Sequence, residues 1–393
     1  MSLKHGRAAV SIPGPSVIPD RVLNAMHAPM PNIYEGELID LSFSVLEDLP
    51  KVARTEQPVY VSVSNGHGAW EMATSNTLSR GDKVLVLESG RFAVSWAEML
   101  AVSDVKYEVL PSVLGRPVDP AHVEERLKAD TEHEFAAVLV VQVDTSTSVR
   151  NDLAAIRGAI DAAGHPALYM VDCIASLGCE PFEMDEWGVD VTVAATQKGL
   201  MVPPGLGFVW ASEKAMAAHE TATLRSGYWD WSARTDPDVH YKIYCGTPPV
   251  QHLWGMREAL DMLFDEGLEN VWHRHQVLAD AVRAAVSMWA APGGIGYVVT
   301  DEEARANSVT TLLTGQIDAD ELRRICEDEA GLTLGIGLEG FSGRAFRIGH
   351  MGHLNPPMIL GTLGTIEAAL HSMDVGVRSP GVSAAARAIA EAL

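Results

Sequence analysis

Apolar and polar positions alternate in two distinct ways along the first 250 residues. Short runs rich in β-branched residues predict buried strands at residues 59–63, 84–87, 105–110 and 138–141. Amphipathic stretches predict helices at residues 69–78, 92–101, 120–128 and 152–163. This alternation is typical of a mainly parallel α/β sheet covered by helices on both faces. Sheets of this kind bind ligands at the carboxyl ends of their strands.

The pattern changes after about residue 250. A long helical region is predicted for residues 249–289, and strands at 308–313 and 345–349 flank a helix at 318–329. We therefore expect an N-terminal segment, a large domain and a smaller C-terminal α/β domain that begins with a long connecting helix. The predicted limits are residues 1–15, 16–250 and 251–393, and an alanine-rich terminal helix is expected at 383–393.

Two of the predicted strands lead to residues whose side chains suit catalysis. Residues 167–172 form an apolar run that ends in Asp172, and residues 189–194 lead to Lys198, just before the turn at 203–205. An acid and an amine at neighbouring strand ends suit pyridoxal phosphate, because the carboxylate keeps the pyridine nitrogen protonated while the lysine forms an imine. Taken alone, Lys198 would be a solvated loop residue and Asp172 a turn or helix cap.

The motifs around these residues resemble those of the class V aminotransferases, in the alanine–glyoxylate and serine–glyoxylate group. Gln197-Lys198 stands before Pro203-Pro204-Gly205, and Val171-Asp172 stands before the Ala-Ser-Leu-Gly run at 175–178. The resemblance extends from Ile-Pro-Gly-Pro-Ser at 12–16 to Phe-Arg-Ile-Gly-His-Met-Gly at 346–352. It implies a fold type I pyridoxal-phosphate transferase, with a large domain built on a mainly parallel sheet.

The resemblance also implies cofactor-binding positions around the two chemical residues. Gly66 and His67 match the turn that binds the cofactor phosphate, and glycine there lets the backbone approach the anion at a helix N-terminus. Phe92 matches the aromatic residue that stacks on the pyridine ring. Ser146 lies in a loop that departs from the family pattern at two positions, with Asp144 for Glu and Ser148 for Gly. The implied cofactor ligands are Gly66, His67, Phe92, Ser146, Asp172, Gln197 and Lys198.

The ordinary interpretations of these positions are a generic glycine-rich turn and a core phenylalanine. Tyr244 and Thr247 match a family segment that reaches the phosphate of the other subunit, so the resemblance predicts a homodimer or a dimer of dimers. Tyr244 could instead simply pack beneath a proline-capped helix start.

Arg347 is the predicted substrate-binding residue, because a guanidinium holds a carboxylate through two parallel hydrogen bonds. A structural ion pair is its ordinary alternative. The resemblance implies transfer from serine or alanine to glyoxylate or pyruvate, with amino and 2-oxo acids as partners. Tyr34 followed by Glu35 stands where serine–glyoxylate relatives often carry a His-Arg pair. With Tyr34 at this position the chain resembles pyridoxamine–pyruvate aminotransferase. Transamination of pyridoxamine is therefore the second candidate function.

Two further classes of function are less favoured by the sequence than an aminotransferase. A non-catalytic binding protein of this fold would tolerate loss of the lysine, yet Lys198 is present. A nicotinamide dehydrogenase should carry G-x-G-x-x-G after an early strand, and no such motif occurs there.

The composition of the chain argues against some classes of binding partner and indicates a cellular compartment. The formal net charge of −23 argues against nucleic acid or an anionic membrane as partner. The four cysteines show no metal-type spacing, so no metal is expected and a reducing cytoplasm is the predicted location. No apolar stretch is long enough to predict a signal peptide or a transmembrane segment.

Overall fold

The computed structural model describes residues 2–235, 237–376 and 380–393. The strands are β1 (Ala9–Ser11), β2 (Val59–Ser64), β3 (Lys83–Leu87), β4 (Lys106–Leu110), β5 (Phe135–Val141), β6 (Val143–Asp144), β7 (Val149–Arg150), β8 (Leu168–Asp172), β9 (Val191–Ala195), β10 (Gly205–Ala211), β11 (Gly296–Tyr297), β12 (Val309–Leu313), β13 (Leu332–Ile336) and β14 (Ala345–Gly349).

The α-helices are α1 (Asp20–Met26), α2 (Glu37–Val52), α3 (Gly66–Thr77), α4 (Arg91–Ala101), α5 (Pro120–Lys128), α6 (Leu153–Ala162), α7 (Glu213–Thr221), α8 (Val250–Glu266), α9 (Leu268–Trp289), α10 (Ala319–Arg324), α11 (Pro356–Ser372) and α12 (Gly381–Ala390). Short 3₁₀ turns cover His240–Tyr244 and Glu339–Phe341, and a π-helical turn, Ile325–Glu329, extends α10. No helix in the described ranges is both long and apolar enough to cross a membrane.

A seven-stranded sheet forms the centre of the described large domain, in the order β2-β10-β9-β8-β5-β3-β4. The run from β9 to β4 is parallel, whereas β10 is antiparallel to both β2 and β9. The mainly parallel α/β sheet predicted from the sequence is therefore confirmed. Strands such as β5 are buried along nearly their whole length, because helices cover both faces of the sheet.

Two apolar clusters lie on the two faces of this sheet. One contains residues of α2, α6 and α8, and the other contains residues of α3, α4 and α7. The second cluster includes Trp70 and Trp96, whose indole rings stack with centroids 5.7 Å apart. The packing fixes α3 and α4 next to each other, and both helices begin at the carboxyl edge of the sheet.

A second sheet has the order β1-β13-β14-β12-β11 and packs against α9, α11 and α12. Strand β1 pairs in parallel with β13, so the N-terminal segment is part of this sheet rather than a separate arm. The predicted domain limits at residues 15 and 250 remain predictions.

The long connecting helix predicted for residues 249–289 was wrong in one respect. It is two helices, α8 and α9, that meet at Gly267. Gly267 has a φ of 85°, a left-handed conformation that glycine adopts at little cost and that ends α8. The apolar periodicity continues across the break, so the sequence pattern alone did not show it.

Candidate active site

A cavity of about 140 Å³ opens at the carboxyl ends of the parallel strands. It brings together six of the predicted residues, which are Gly66, His67, Phe92, Asp172, Gln197 and Lys198. Trp70, Val141, Val143, Thr145, Ile174 and Ala175 complete its lining. These side chains come from segments far apart in sequence, and the sheet topology is what makes them neighbours.

Lys198 follows β9 and is half-buried at one wall of the cavity. Burial, and to a smaller extent the nearby charge of Arg347, lowers the pKa of Lys198 to about 8, while Asp172 opposes the shift. The amine Nζ donates a hydrogen bond to the carbonyl of Pro13. The segment that follows β1, at residues 12–16, is therefore a direct neighbour of the Lys198 amine.

Asp172 is the last residue of β8 and is 3% exposed. Its Oδ1 accepts a hydrogen bond from the Ile174 amide at 2.6 Å, and its Oδ2 accepts one from Trp70 Nε1 at 2.8 Å. Burial raises the pKa of Asp172 to about 7, and both hydrogen bonds oppose that shift. Trp70 was not predicted as a site residue. Its position four residues after Gly66, on one face of α3, is the signal that would have indicated it.

The loop between β6 and β7 anchors the helix that carries Phe92. Asp144 Oδ2 accepts hydrogen bonds from the Phe92 and Ala93 amides at 2.8 and 3.3 Å, which caps α4 from a distant loop. Ser146 donates its hydroxyl to Asp144 Oδ1 at 2.6 Å and accepts from the Arg91 amide. In this arrangement Ser146 supports α4, and its neighbour Thr145 lines the cavity.

Ser148, where the family pattern has glycine, has a left-handed backbone conformation. Its φ is 70°, in the left-handed region that costs a non-glycine residue about 1 kcal/mol or more. Its hydroxyl lies 2.5 Å from that of Thr311 on β12. The departures at positions 144 and 148 thus have structural roles of their own.

The predicted phosphate turn has its backbone amides partly occupied. Asn65 Oδ1 accepts from the amides of His67 and Gly68, at 3.1 and 3.4 Å. A phosphate at this helix start would therefore share or replace the Asn65 contact. Gln197 Oε1, by contrast, is buried and has no hydrogen-bond partner among the described residues.

Arg347 lies on β14 and is 8% exposed. Its Nε donates to the Ile336 carbonyl at 2.6 Å and its Nη1 to the Thr145 carbonyl at 2.9 Å. Burial lowers the pKa of Arg347 to about 10. No carboxylate of residues 2–235, 237–376 or 380–393 forms a salt bridge with it, so the structural ion pair considered as its alternative is absent there. The guanidinium is fixed by neutral carbonyls and keeps its charge for a ligand.

Five predicted residues are not part of the cavity lining: Ser146 and Arg347, described above, and Tyr244, Thr247 and Tyr34. Tyr244 is buried in the core, where burial raises its pKa to about 12 and Ser42 opposes the shift. Thr247 is exposed, and Tyr34 is 69% exposed with its ring edge-to-face against Tyr241. Their roles stay predictions. No cluster of metal-ligating side chains occurs in the part of the chain that the structure describes.

The cavity meets the chemical needs of pyridoxal phosphate. It places an amine with a lowered pKa, an acid held by two donors and an unpartnered buried amide oxygen, from Gln197, around one space. Gly66 fits this space closely, because a Cβ there would lie 2.5 Å from Ile174 Cδ1. Lys198, Asp172 and Gln197 are the residues that would hold the group.

Comparisons with known proteins agree with this geometry. The family model described as aminotransferase class-V matches residues 53–341. Serine–glyoxylate aminotransferase from Methylorubrum extorquens is 40% identical, covering 98% of this chain and 96% of the relative. The chain belongs to the class V aminotransferases. It is therefore an enzyme that transfers amino groups.

Two more relatives extend the comparison of this class V aminotransferase. L-aspartate–glyoxylate aminotransferase from Paracoccus denitrificans is 37% identical, over 96% of this chain and 94% of the relative. The solved structure of pyridoxamine–pyruvate aminotransferase from Mesorhizobium loti has a TM-score of 0.89, at 24% identity and with 100% of both chains covered. That structure supports the fold.

The side chain of Lys198 lies directly against Gly14. A Cβ at Gly14 would lie 2.4 Å from Lys198 Cδ and 2.6 Å from Cε and Nζ. The Ser16 hydroxyl donates to the Lys198 carbonyl at 2.7 Å, which holds the two segments together from the other side. The lysine side chain would have to move if a methyl group were added.

We expect Gly14→Ala to lower the rate at which Lys198 binds added pyridoxal phosphate by about tenfold, equivalent to ~1.4 kcal/mol. The rate is measured by borohydride trapping and mass spectrometry. Gly81→Ala is the matched control, because Gly81 has a φ of 90° against 92° at Gly14, and a Cβ added there would meet no atom within 4 Å. Both variants should lose similar stability from backbone strain. Equal trapping rates in the two variants would contradict the prediction.

Proposed function

We propose that the enzyme uses pyridoxal phosphate to move an amino group from a small amino acid, serine or alanine, to glyoxylate or pyruvate. The observation that carries the proposal is the single cavity shared by Lys198 and Asp172, with Arg347 close enough to affect the pKa of Lys198. Relatives named serine–glyoxylate and L-aspartate–glyoxylate aminotransferase support glyoxylate as the acceptor. The four cysteines are unpaired, which supports a cytoplasmic location.

Each residue has a role that its surroundings favour. Bound pyridoxal phosphate supplies an aldehyde that reacts with amines and a ring that withdraws electrons from the reacting carbon. Lys198 Nζ would be the attachment point for the aldehyde, and its free amine would be the base that takes the proton from the substrate Cα. Its lowered pKa increases the neutral, basic fraction of the amine at physiological pH. Asp172 holds the ring nitrogen in its protonated form.

Arg347 orients the substrate carboxylate. Two of its donors are fixed by the carbonyls of Ile336 and Thr145, so the guanidinium plane is set before substrate binds. The remaining N–H groups, on Nη1 and Nη2, can donate two parallel hydrogen bonds to a carboxylate. Amino and 2-oxo acids share that carboxylate, which lets one arginine serve both half-reactions.

Pyridoxamine–pyruvate transamination is the second candidate, and one observation favours it. The Asn65 side chain already binds the amides of His67 and Gly68, where the cofactor phosphate is expected. A pyridoxamine substrate lacks the phosphate and would leave these contacts in place. Tyr34 and Glu35, near the turn at 240–244 through the Tyr34–Tyr241 contact, also belong to this alternative.

A donor screen tests the proposal. Serine, alanine, aspartate and pyridoxamine are each supplied with glyoxylate or pyruvate, and the new amino acid is measured by chromatography. We expect turnover with serine or alanine after reconstitution with pyridoxal phosphate, and none in Lys198→Ala, because that variant lacks both the attachment point and the base. Turnover of pyridoxamine alone would select the second candidate. Undiminished turnover by Lys198→Ala would contradict both.

Arg347→Ala should raise KM for amino and oxo acids and lower kcat/KM by the loss of a buried charged partner, on the order of 2–5 kcal/mol. Arg347→Lys should recover little, because an ammonium group does not reproduce the planar fork. Cofactor attachment, read by borohydride trapping, should persist in both variants.

Arg323→Ala is the control for this prediction. Arg323 affects the pKa of Arg347 electrostatically, but it is paired with Asp320 at 3.0 Å. It should therefore change KM little. If Arg347→Ala keeps wild-type kinetics with the acids, the carboxylate is bound by another residue. If pyridoxamine is the donor, only the oxo-acid step should suffer.

We further propose a homodimer, or a dimer of dimers, in which Tyr244 and Thr247 complete the neighbouring subunit's phosphate site. Exposed aromatic side chains surround the 240–244 turn and support an interface there. Tyr34 contacts Tyr241, and Phe43, which is 54% exposed, contacts His240. Aromatic residues exposed together in this way are characteristic of interface cores.

Subunit mixing tests the shared site. Thr247→Glu should weaken phosphate binding through charge repulsion, and Lys198→Ala removes the amine. A refolded equal mixture should regain about a quarter of wild-type activity, since half of random dimers contain one intact site. Thr131→Glu, at another exposed threonine, should stay fully active alone. No recovery in the mixture, with heterodimers verified by mass spectrometry, would contradict a site built from two chains.

A further inference from the structure

The indole of Trp70 is the only side-chain donor to Asp172 within the described residues. Trp70 is 1% exposed, and its Nε1 lies 2.8 Å from Asp172 Oδ2. The other oxygen, Oδ1, accepts from the Ile174 backbone amide. Both neighbours are donors that cannot accept a proton, so each of these hydrogen bonds is compatible with the charged carboxylate and gives a carboxyl proton no partner.

Trp70 is also held in place from the side opposite Asp172. Its ring stacks on Trp96 of α4, at a centroid distance of 5.7 Å and an interplanar angle of 10°. The His67 ring meets it edge-on at 4.7 Å. One indole thus contacts the end of β8, the first turn of α3 and the helix that carries Phe92, which are three of the elements that line the cavity.

Trp96 offers a contrast within the same stack. It is fully buried like Trp70, but its Nε1 has no hydrogen-bond partner in the described parts of the chain. Replacing Trp96 removes packing without removing a hydrogen bond. Replacing Trp70 with phenylalanine removes both. The difference between the two changes isolates the contribution of the indole N–H.

We propose that Trp70 is a positioning residue that keeps Asp172 charged and aimed at the ring nitrogen of the bound cofactor. The inference rests on the proposed function, because it requires pyridoxal phosphate in the cavity. Trp70 acts through Asp172 and does not itself take part in proton transfer. Its removal therefore weakens the binding of ligands that carry a ring nitrogen more than the binding of ligands that lack one.

The test is calorimetric binding to the full chain, stripped of cofactor, with two probes. Pyridoxal phosphate carries the ring nitrogen, and 1-deazapyridoxal phosphate replaces it with C–H. We expect Trp70→Phe to weaken the binding of pyridoxal phosphate about tenfold more than the binding of the deaza analogue. Trp96→Phe should weaken the binding of both probes by the same factor. Circular dichroism and thermal unfolding show whether both variants fold.

The dependence of kcat on pH is a second test of the role of Trp70. Burial places the pKa of Asp172 at about 7, and the Trp70 hydrogen bond lowers it. Without that donor the pKa rises, so the acid limb of kcat should move to higher pH in Trp70→Phe and stay in place in Trp96→Phe. Equal weakening of both probes by Trp70→Phe, or an unmoved acid limb, overturns the inference. A wild-type chain that binds neither probe overturns the proposed function along with it.

Discussion

The buried carboxylate of Asp172 is the constraint around which the site is built. A desolvated acid at the end of an apolar strand favours its neutral form, and its pKa of about 7 reflects that cost. The Ile174 amide, the Trp70 indole and the charge of Lys198 all act in the opposite direction. The packing of α3 against α4, through Trp70 and Trp96, therefore serves the electrostatics of the site as well as the core.

The second sheet contacts the loop beside the cavity through two neighbouring residues. Thr311 and Arg347 are direct cross-strand partners on β12 and β14. Both reach the loop at 144–149, Thr311 through the Ser148 hydroxyl and Arg347 through the Thr145 carbonyl. Because the same loop caps α4 through Asp144, the position of the guanidinium is linked to that of Phe92. The residues proposed to hold the substrate carboxylate and the cofactor ring are thereby parts of one connected structure.

Sequence patterns predicted the parallel sheet and the residues that share the cavity, because strand ends and local motifs carry that information. They did not show β10, because Pro203 and Pro204 just before it and the glycine at its start suggested a turn, and its pairing with β2 and β9 is a tertiary effect. The break at Gly267 was hidden by continuous apolar periodicity. Asp144 and Trp70 act on segments 50 to 100 residues away, at sequence separations of 52 and 102, which no local pattern encodes.

The charge distribution of the cavity bears on which substrate the site favours. Despite a net charge of −23, Lys198 and the nearby Arg347 place positive charge beside Asp172. Gly66, His67 and Gln197 also line the cavity, and partial burial lowers the pKa of His67, which favours its neutral ring. A phosphate there depends on neutral donors, for which Asn65 already competes. In the proposed dimer, donors supplied by the second subunit would shift that competition toward phosphate. Subunit assembly would then influence the choice between an amino-acid and a pyridoxamine donor.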